Sequence, residues 1–197
     1  RFEVPATGLF HLANAWEEGG TVQVRFVAQP DILGTLRQLN VDSARSLAVQ
    51  STQWTQLTLA PATGQARMEA PGLANVEFPR IHPARQGLAT RFTTLLARSP
   101  GMDARVHGYD GVLTLQGDTP RRYTYGQGWI AEEHVYVPAT PTAPDGRGWV
   151  LGTAYHWPTE RTTLSVFDAQ AVDAGPVARI ALPYGLPLGL HGQFVPA

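Results

Sequence analysis

The 197 residues are 43% hydrophobic and carry a formal net charge of −1, which excludes a disordered tail and the basic footprint of a nucleic-acid binder. Cysteine is absent, so disulfides, thiol catalysis and cysteine-held zinc or iron–sulfur clusters are excluded, and any metal must rest on histidine or carboxylate. No apolar run approaches the roughly 18 residues of a membrane span and no signal peptide opens the chain, so a soluble, cytoplasmic protein is expected, with peripheral contact to a membrane left open.

The chain begins with Arg1 rather than Met, and a true N-terminus upstream or removed is expected. "FHLANAWEEGG", Phe10 to Gly20, reads as a short turn-like segment, with Glu17 and Glu18 as solvated residues of the turn. It leads into a strand over Thr21 to Ala28, where Val22, Val24 and Phe26 share one face and Gln23 and Arg25 the other. Asp31 to Asn40 ("DILGTLRQLN") predicts one or two turns of helix: Leu33, Leu36 and Leu39 recur every three residues after an Asp able to cap, with Gly34 weakening the run. Three hairpins follow. Thr55–Ala60 and Gln65–Ala70 flank Pro61–Gly64. Val112–Gln116 and Arg121–Tyr125 flank Gly117–Pro120. Trp149–His156 and Thr162–Phe167 flank a turn containing Pro158–Glu160. These turns lie about 56 and then about 41 residues apart, near the repeat of four-stranded propeller blades, although a β-sandwich also produces short strands with frequent turns. Pro138 to Gly148 reads as a surface loop, and residues 1–197 show no domain boundary.

Six histidines are candidate ligands: His11, His82, His107, His134, His156 and His191. No HExxH pair or other close metal-binding spacing singles any of them out. His107 and His156 stand beside turn residues and read as surface or structural. His82, between Ile81 and Pro83, suggests backbone geometry more than chemistry. His11 sits between Phe10 and "LANAW". His191 stands in "PLGLHGQF", where glycines on both sides allow sharp turning and close approach.

"FHLANAWEEGG" resembles the H-x-x-N-A-[aromatic]-E-[acidic] segment of the carotenoid cleavage oxygenases, a family that includes lignostilbene dioxygenases and the retinal pigment epithelium isomerase. Further segments agree in order. "EFPRI" lies at Glu77–Ile81. "EEHVYVP" at Glu132–Pro138 is similar to the family's E-P-x-F-V-P, and the terminal "LHGQF" to its F-H-G-x-[WF]. "DGRGWVL" and "VFDAQAVDAGPVARIALP" are similar to two more family runs. Departures are Leu190 where an aromatic residue is usual, His134 where Pro is usual, His82 where Asp is common, and extra residues in "PDGRGWVL".

The resemblance implies an all-β fold with little helix, the C-terminal part, about half, of a seven-bladed β-propeller. The first half, two further histidine ligands and a third glutamate are expected upstream. It implies Fe(2+) held by four histidines, of which His11 matches the third and His191 the fourth. Glu77 and Glu133 match glutamates that accept hydrogen bonds from ligand histidines, Glu77 pairing with His11 and Glu133 with His191. Phe10 and Leu190 are the candidates for lining a substrate cavity, with packing as the plainer alternative, as for Trp16 and Phe194. No catalytic acid or base is required. The implied partners are O2, an apolar conjugated small molecule and the missing N-terminal half of the propeller. The implied reaction is dioxygenase cleavage of a C=C bond to two carbonyls in a carotenoid or apocarotenoid, with the fragment inactive alone. A stilbene substrate, the retinal relative's isomerohydrolase chemistry and a non-catalytic β-module are the alternatives.

Overall fold

The computed structural model describes residues 1–38, 51–103 and 106–195. Among these the chain is mostly β, with twelve strands in three four-stranded sheets. Two compact units are formed. The first contains Arg1–Glu77, Gln86–Ala89 and Asp103–His107, and the second Phe78–Arg85, Thr90–Met102 and Gly108–Ala197. No helix among the described residues is long and apolar enough to cross a membrane.

In the first unit, β1 (Gly8–Glu18), β2 (Thr21–Gln29), β3 (Gln53–Ala60) and β4 (Gln65–Glu69) pair in sequence order. The expected turn-like character of Phe10 to Gly20 is confined to its end: Glu18 pairs with Thr21, and Gly19 and Gly20 take φ of 58° and 77°. Positive φ at both central residues matches the right-handed twist of the flanking strands, which is why a Gly-Gly pair closes this hairpin. The strand hid from a period-two reading because register shifts lie between Leu9 and Leu12 and between Leu12 and Asn14, and bulges break alternation. Glu17 and Glu18 are exposed, as expected. On β2 the polar face is not simply solvated. Gln23 is buried, and its side-chain carbonyl accepts from Gln56 Nε2 (2.9 Å) and Thr58 Oγ1 (2.8 Å). A buried amide is tolerated because its partners are satisfied. The hairpin across Pro61–Gly64 forms with Ala60 opposite Gln65.

α1 spans Ile32–Gln38, and Asp31 Oδ1 accepts the Gly34 N–H at 2.8 Å, a cap at the expected position. Leu33 and Leu36 are nevertheless exposed, and Leu39 and Asn40 lie outside the described residues.

In the second unit, β5 (Val76–Arg80, whose first two residues belong to the first unit), β6 (Phe92–Ala97), β7 (Gly111–Gln116) and β8 (Thr119–Thr124) form one sheet. β9 (Trp129–Pro138), β10 (Gly148–His156), β11 (Arg161–Asp168) and β12 (Ala178–Ala181) form the other. The β7–β8 turn is tighter than expected: Gln116 pairs with Thr119, so Gly117 and Asp118 alone make the turn. Pro120 then falls on the edge strand of its sheet, where no ladder N–H is needed. The β10–β11 hairpin closes with His156 opposite Arg161, and the expected loop from Pro138 to Gly148 is the connection from β9 to β10, its two end residues paired with each other as strand ends. The core of this unit lies between its two sheets. Phe92, Leu96 and Val112 meet Ala131, Tyr136, Val150 and Phe167, with Tyr123 and Tyr125 packed against them.

Candidate functional site

His11 lies on β1 between the residues that bound the first register shift, away from regular pairing. Its Nδ1 is 2.6 Å from Glu77 Oε2, and the other Glu77 oxygen accepts from Gln29 Nε2 at 3.0 Å. Glu77 and Gln29 are buried, while the His11 side chain is 25% exposed. A carboxylate can only accept, so Nδ1 carries the proton, and donation to a metal would fall to Nε2. Asn14, three residues on, is buried. Its amide donates to the Leu88 carbonyl (2.8 Å) and accepts the Gly87 N–H (3.0 Å), tying β1 to residues 87–88.

His191 lies in an irregular terminal segment and its side chain is 55% exposed. Nδ1 is 3.2 Å from Glu133 Oε1, and its ring meets Phe78 at 5.7 Å. Phe78 holds an uncommon backbone φ of 53°, the kind of strained conformation that persists only where surrounding structure enforces it. Arg80 forks onto both Glu133 oxygens, Nε to Oε1 at 2.8 Å and Nη2 to Oε2 at 2.7 Å. The Gly192 N–H adds a third donor at 2.8 Å. Burial alone would raise the Glu133 carboxyl, but the donors from Arg80, Gly192 and His191 outweigh it and hold Glu133 below the usual carboxylate range.

The structure therefore joins His11 to Glu77 and His191 to Glu133. Each imidazole meets a carboxylate through Nδ1, the arrangement that fixes a metal ligand's tautomer and orientation and raises its basicity. These donors suit a divalent iron, for which neutral imidazole is an appropriate ligand. Among the described residues no group of three or more His, Cys, Asp or Glu side chains could hold a metal, so a complete site needs donors besides these. Phe10 and Leu190 are both exposed, as is Phe194, whereas Trp16 is buried.

The remaining four histidines have other surroundings. His82 is buried, and its Nδ1 accepts the Ala84 N–H at 3.1 Å, which agrees with a backbone role. His107 is exposed, and His156 Nδ1 meets Thr159 Oγ1 at 2.7 Å. His134 is the one that the sequence did not reveal. It is fully buried, its Nδ1 is 2.6 Å from the Glu132 carbonyl and its Nε2 is 2.9 Å from the Tyr125 hydroxyl. A Cβ on Gly152 would overlap the His134 ring, so glycine opposite is what admits the imidazole. Burial pushes the His134 pKa down to about 4, against smaller opposing effects of the Glu132 carbonyl and the Glu133 charge. The ring is therefore neutral, with Nδ1–H donating to the carbonyl and Nε2 accepting from Tyr125, whose own pKa burial raises.

The neutral ring has a measurable consequence. The unfolded histidine titrates near 6.5 and the folded one near 4, so the unfolded state binds more protons between those values. The associated stability is complete above about pH 6.5 and is lost as pH falls toward 4, roughly 3 kcal/mol in all. Denaturation of wild type and His134→Gln at pH 7 and pH 5 checks this. The wild type should lose more stability than the variant, whose amide keeps a donor and an acceptor but does not titrate.

The family described as retinal pigment epithelial membrane protein matches residues 1–196. The chain belongs to that family. Among curated members, the chain is 29% identical to a carotenoid 9,10(9',10')-cleavage dioxygenase 1 from Arabidopsis thaliana, over 98% of its length and 37% of the relative's. It is 26% identical to an isoeugenol monooxygenase from Pseudomonas putida, over 97% of its length and 42% of the relative's. In structure, all of the chain superposes on 41% of cobalt-substituted apocarotenoid oxygenase from Synechocystis, with a TM-score of 0.87 at 23% identity. That likeness establishes the fold. The chain thus spans about two-fifths of the length of the retinal pigment epithelial membrane protein family members it matches.

Proposed function

We propose that this chain is the C-terminal portion of an Fe(II)-dependent oxygenase that cleaves a C=C bond of a conjugated apolar substrate with O2. The two oxygen atoms would end in two carbonyl products, so atoms balance without a further reductant. The observation that carries the reading is the pairing of His11 with buried Glu77 through Nδ1; His191 and Glu133 repeat it. Membership of a family whose relatives include a carotenoid cleavage dioxygenase supports the reaction class. His11 and His191 are proposed as two of four imidazole ligands, with the others, a third glutamate and the rest of a seven-bladed propeller lying outside this chain. The three four-stranded sheets are its proposed blades.

When bound, ferrous iron would supply reactivity toward O2 that side chains lack. The residues of this chain would orient it. Glu77 and Glu133 hold the two imidazoles in one tautomer, and neither carboxylate needs to occupy a coordination position. Neutral ligands preserve the charge of the metal while the glutamates offset part of it. No side chain of this chain is needed as acid or base.

Carotenoid or apocarotenoid is the preferred substrate class. The isoeugenol monooxygenase relative favours a second reading, a stilbene or related phenylpropenoid substrate. Oxygen uptake by the native protein with ferrous iron separates them. One O2 consumed per apocarotenoid, with two carbonyl products, supports the proposal, and uptake only with stilbenes selects the second reading. Turnover of either substrate at the same rate without iron would overturn both. Ester consumption without O2 would indicate isomerohydrolase chemistry instead.

A further inference from the structure

The segment that carries His191 contains no helix or strand, so its order rests on side chains that reach it. Two consecutive glutamates do so. Between the pairs Gly152 with His134 and Ala154 with Ala131, β9 places Glu132 and Glu133 opposite the single residue Thr153 of β10. In a regular strand neighbouring side chains project to opposite faces; a bulge of this kind re-aims them. Both carboxylates accordingly end on residues 189–192. Glu132 Oε1 accepts the Gly189 N–H, and its Oε2 accepts the Thr153 hydroxyl. Glu133 accepts the Gly192 N–H, and Arg80 Nη2 donates to the Gly192 carbonyl at 2.9 Å. His191 is held on both sides, by Glu132 two residues before it and by Glu133 with Arg80 one residue after.

We propose that Glu132 is a positioning residue for His191, fixing the backbone before the imidazole as Glu133 fixes the ring and the backbone after it. The inference rests on the reading of His191 as an iron ligand. An exposed, irregular segment would otherwise lose its freedom at the moment of metal binding, and that ordering cost would weaken the site. Glu132 removes part of it in advance. Its role is geometric and does not depend on its charge, because a glutamine can still accept the Gly189 N–H through its carbonyl oxygen while its amide N–H donates to the Thr153 hydroxyl oxygen.

The test uses cobalt(II) as the probe in the native protein, with affinity measured by chelator competition and geometry by visible absorption. Glu132→Ala is expected to bind cobalt about tenfold more weakly, as partners outside the ligand set typically do when removed, with an altered cobalt spectrum and a metal-free thermal midpoint close to wild type. Glu132→Gln is expected to restore affinity to within about threefold, since it exchanges charged hydrogen bonds for neutral ones. Wild-type affinity in Glu132→Ala, or equal loss in Glu132→Gln, would overturn the inference. Should Glu132→Ala fail to fold, Gly189→Pro removes the same hydrogen bond from the exposed side, and unchanged affinity there overturns it equally. His191→Ala separates the two levels. If that variant binds cobalt like wild type, the ligand reading itself falls and this inference with it. If it loses cobalt while Glu132→Ala keeps it, only the positioning role falls.

Discussion

Native protein carrying His191→Ala is expected to lose its ferrous iron and its oxygen-dependent turnover, and His11→Ala to lose both as well. The two variants should differ in stability, because their imidazoles sit in different surroundings. The His191 side chain is more than half exposed on a segment without regular structure, so its removal should leave the thermal midpoint of the metal-free protein nearly unchanged. His11 is mostly covered, and its partner Glu77 has a side chain only 4% exposed. Removing the imidazole leaves Gln29 as the amide donor to that buried carboxylate and should cost about 1–3 kcal/mol. Metal content by atomic emission, turnover by oxygen electrode and stability by denaturant titration check the three parts together. Full iron content in both variants would remove both histidines from the ligand set.

The second large effect is on stability alone. Phe167 is completely buried in the core of the second unit, with ring centroids 5.1 Å from Tyr123, 6.3 Å from Tyr125 and 5.9 Å from His134. Its neighbours come from both sheets of that unit and are themselves constrained, Tyr125 and His134 by their mutual hydrogen bond. They cannot collapse into the space, so Phe167→Ala is expected to cost about 3–5 kcal/mol. Trp157 is of comparable size but half exposed at the tip of the β10–β11 hairpin, and Trp157→Ala should change stability by less than about 1 kcal/mol. Urea titration of the pair measures the contrast. A Phe167→Ala cost as small as that of Trp157→Ala would contradict the described core.

The hairpins were legible because their turn chemistry is local. Pro61–Gly64 and Gly117–Asp118 announce reversal within a few residues, and alternating apolar side chains on either side supply the strands. β1 was not, since bulges around His11 remove the alternation by which a strand is recognised. The sharing of Gln23 between Gln56 and Thr58 was invisible for another reason: a buried amide looks like any polar strand residue until its partners across the sheet are known.

The candidate site divides the same way. His11, His191, Glu77 and Glu133 were marked by short motifs whose order along the chain could be compared with a family. Arg80, Gln29 and Glu132 were not, because their roles are contacts across long separations. Arg80 reaches Glu133 across 53 residues, and Glu132 reaches Gly189 across 57. The sequence did carry one trace of them. The doubled glutamate at Glu132–Glu133 and the histidine in place of the family's proline mark the part of β9 where the register shifts.

The most direct test is the location of iron in crystals of the native protein loaded with ferrous iron, by anomalous diffraction at the iron edge. A single iron within bonding distance of Nε2 of His11 and of Nε2 of His191, with Glu77 and Glu133 still on the Nδ1 side, is the predicted result. Iron bound elsewhere, or contacting only one of these rings, would contradict it.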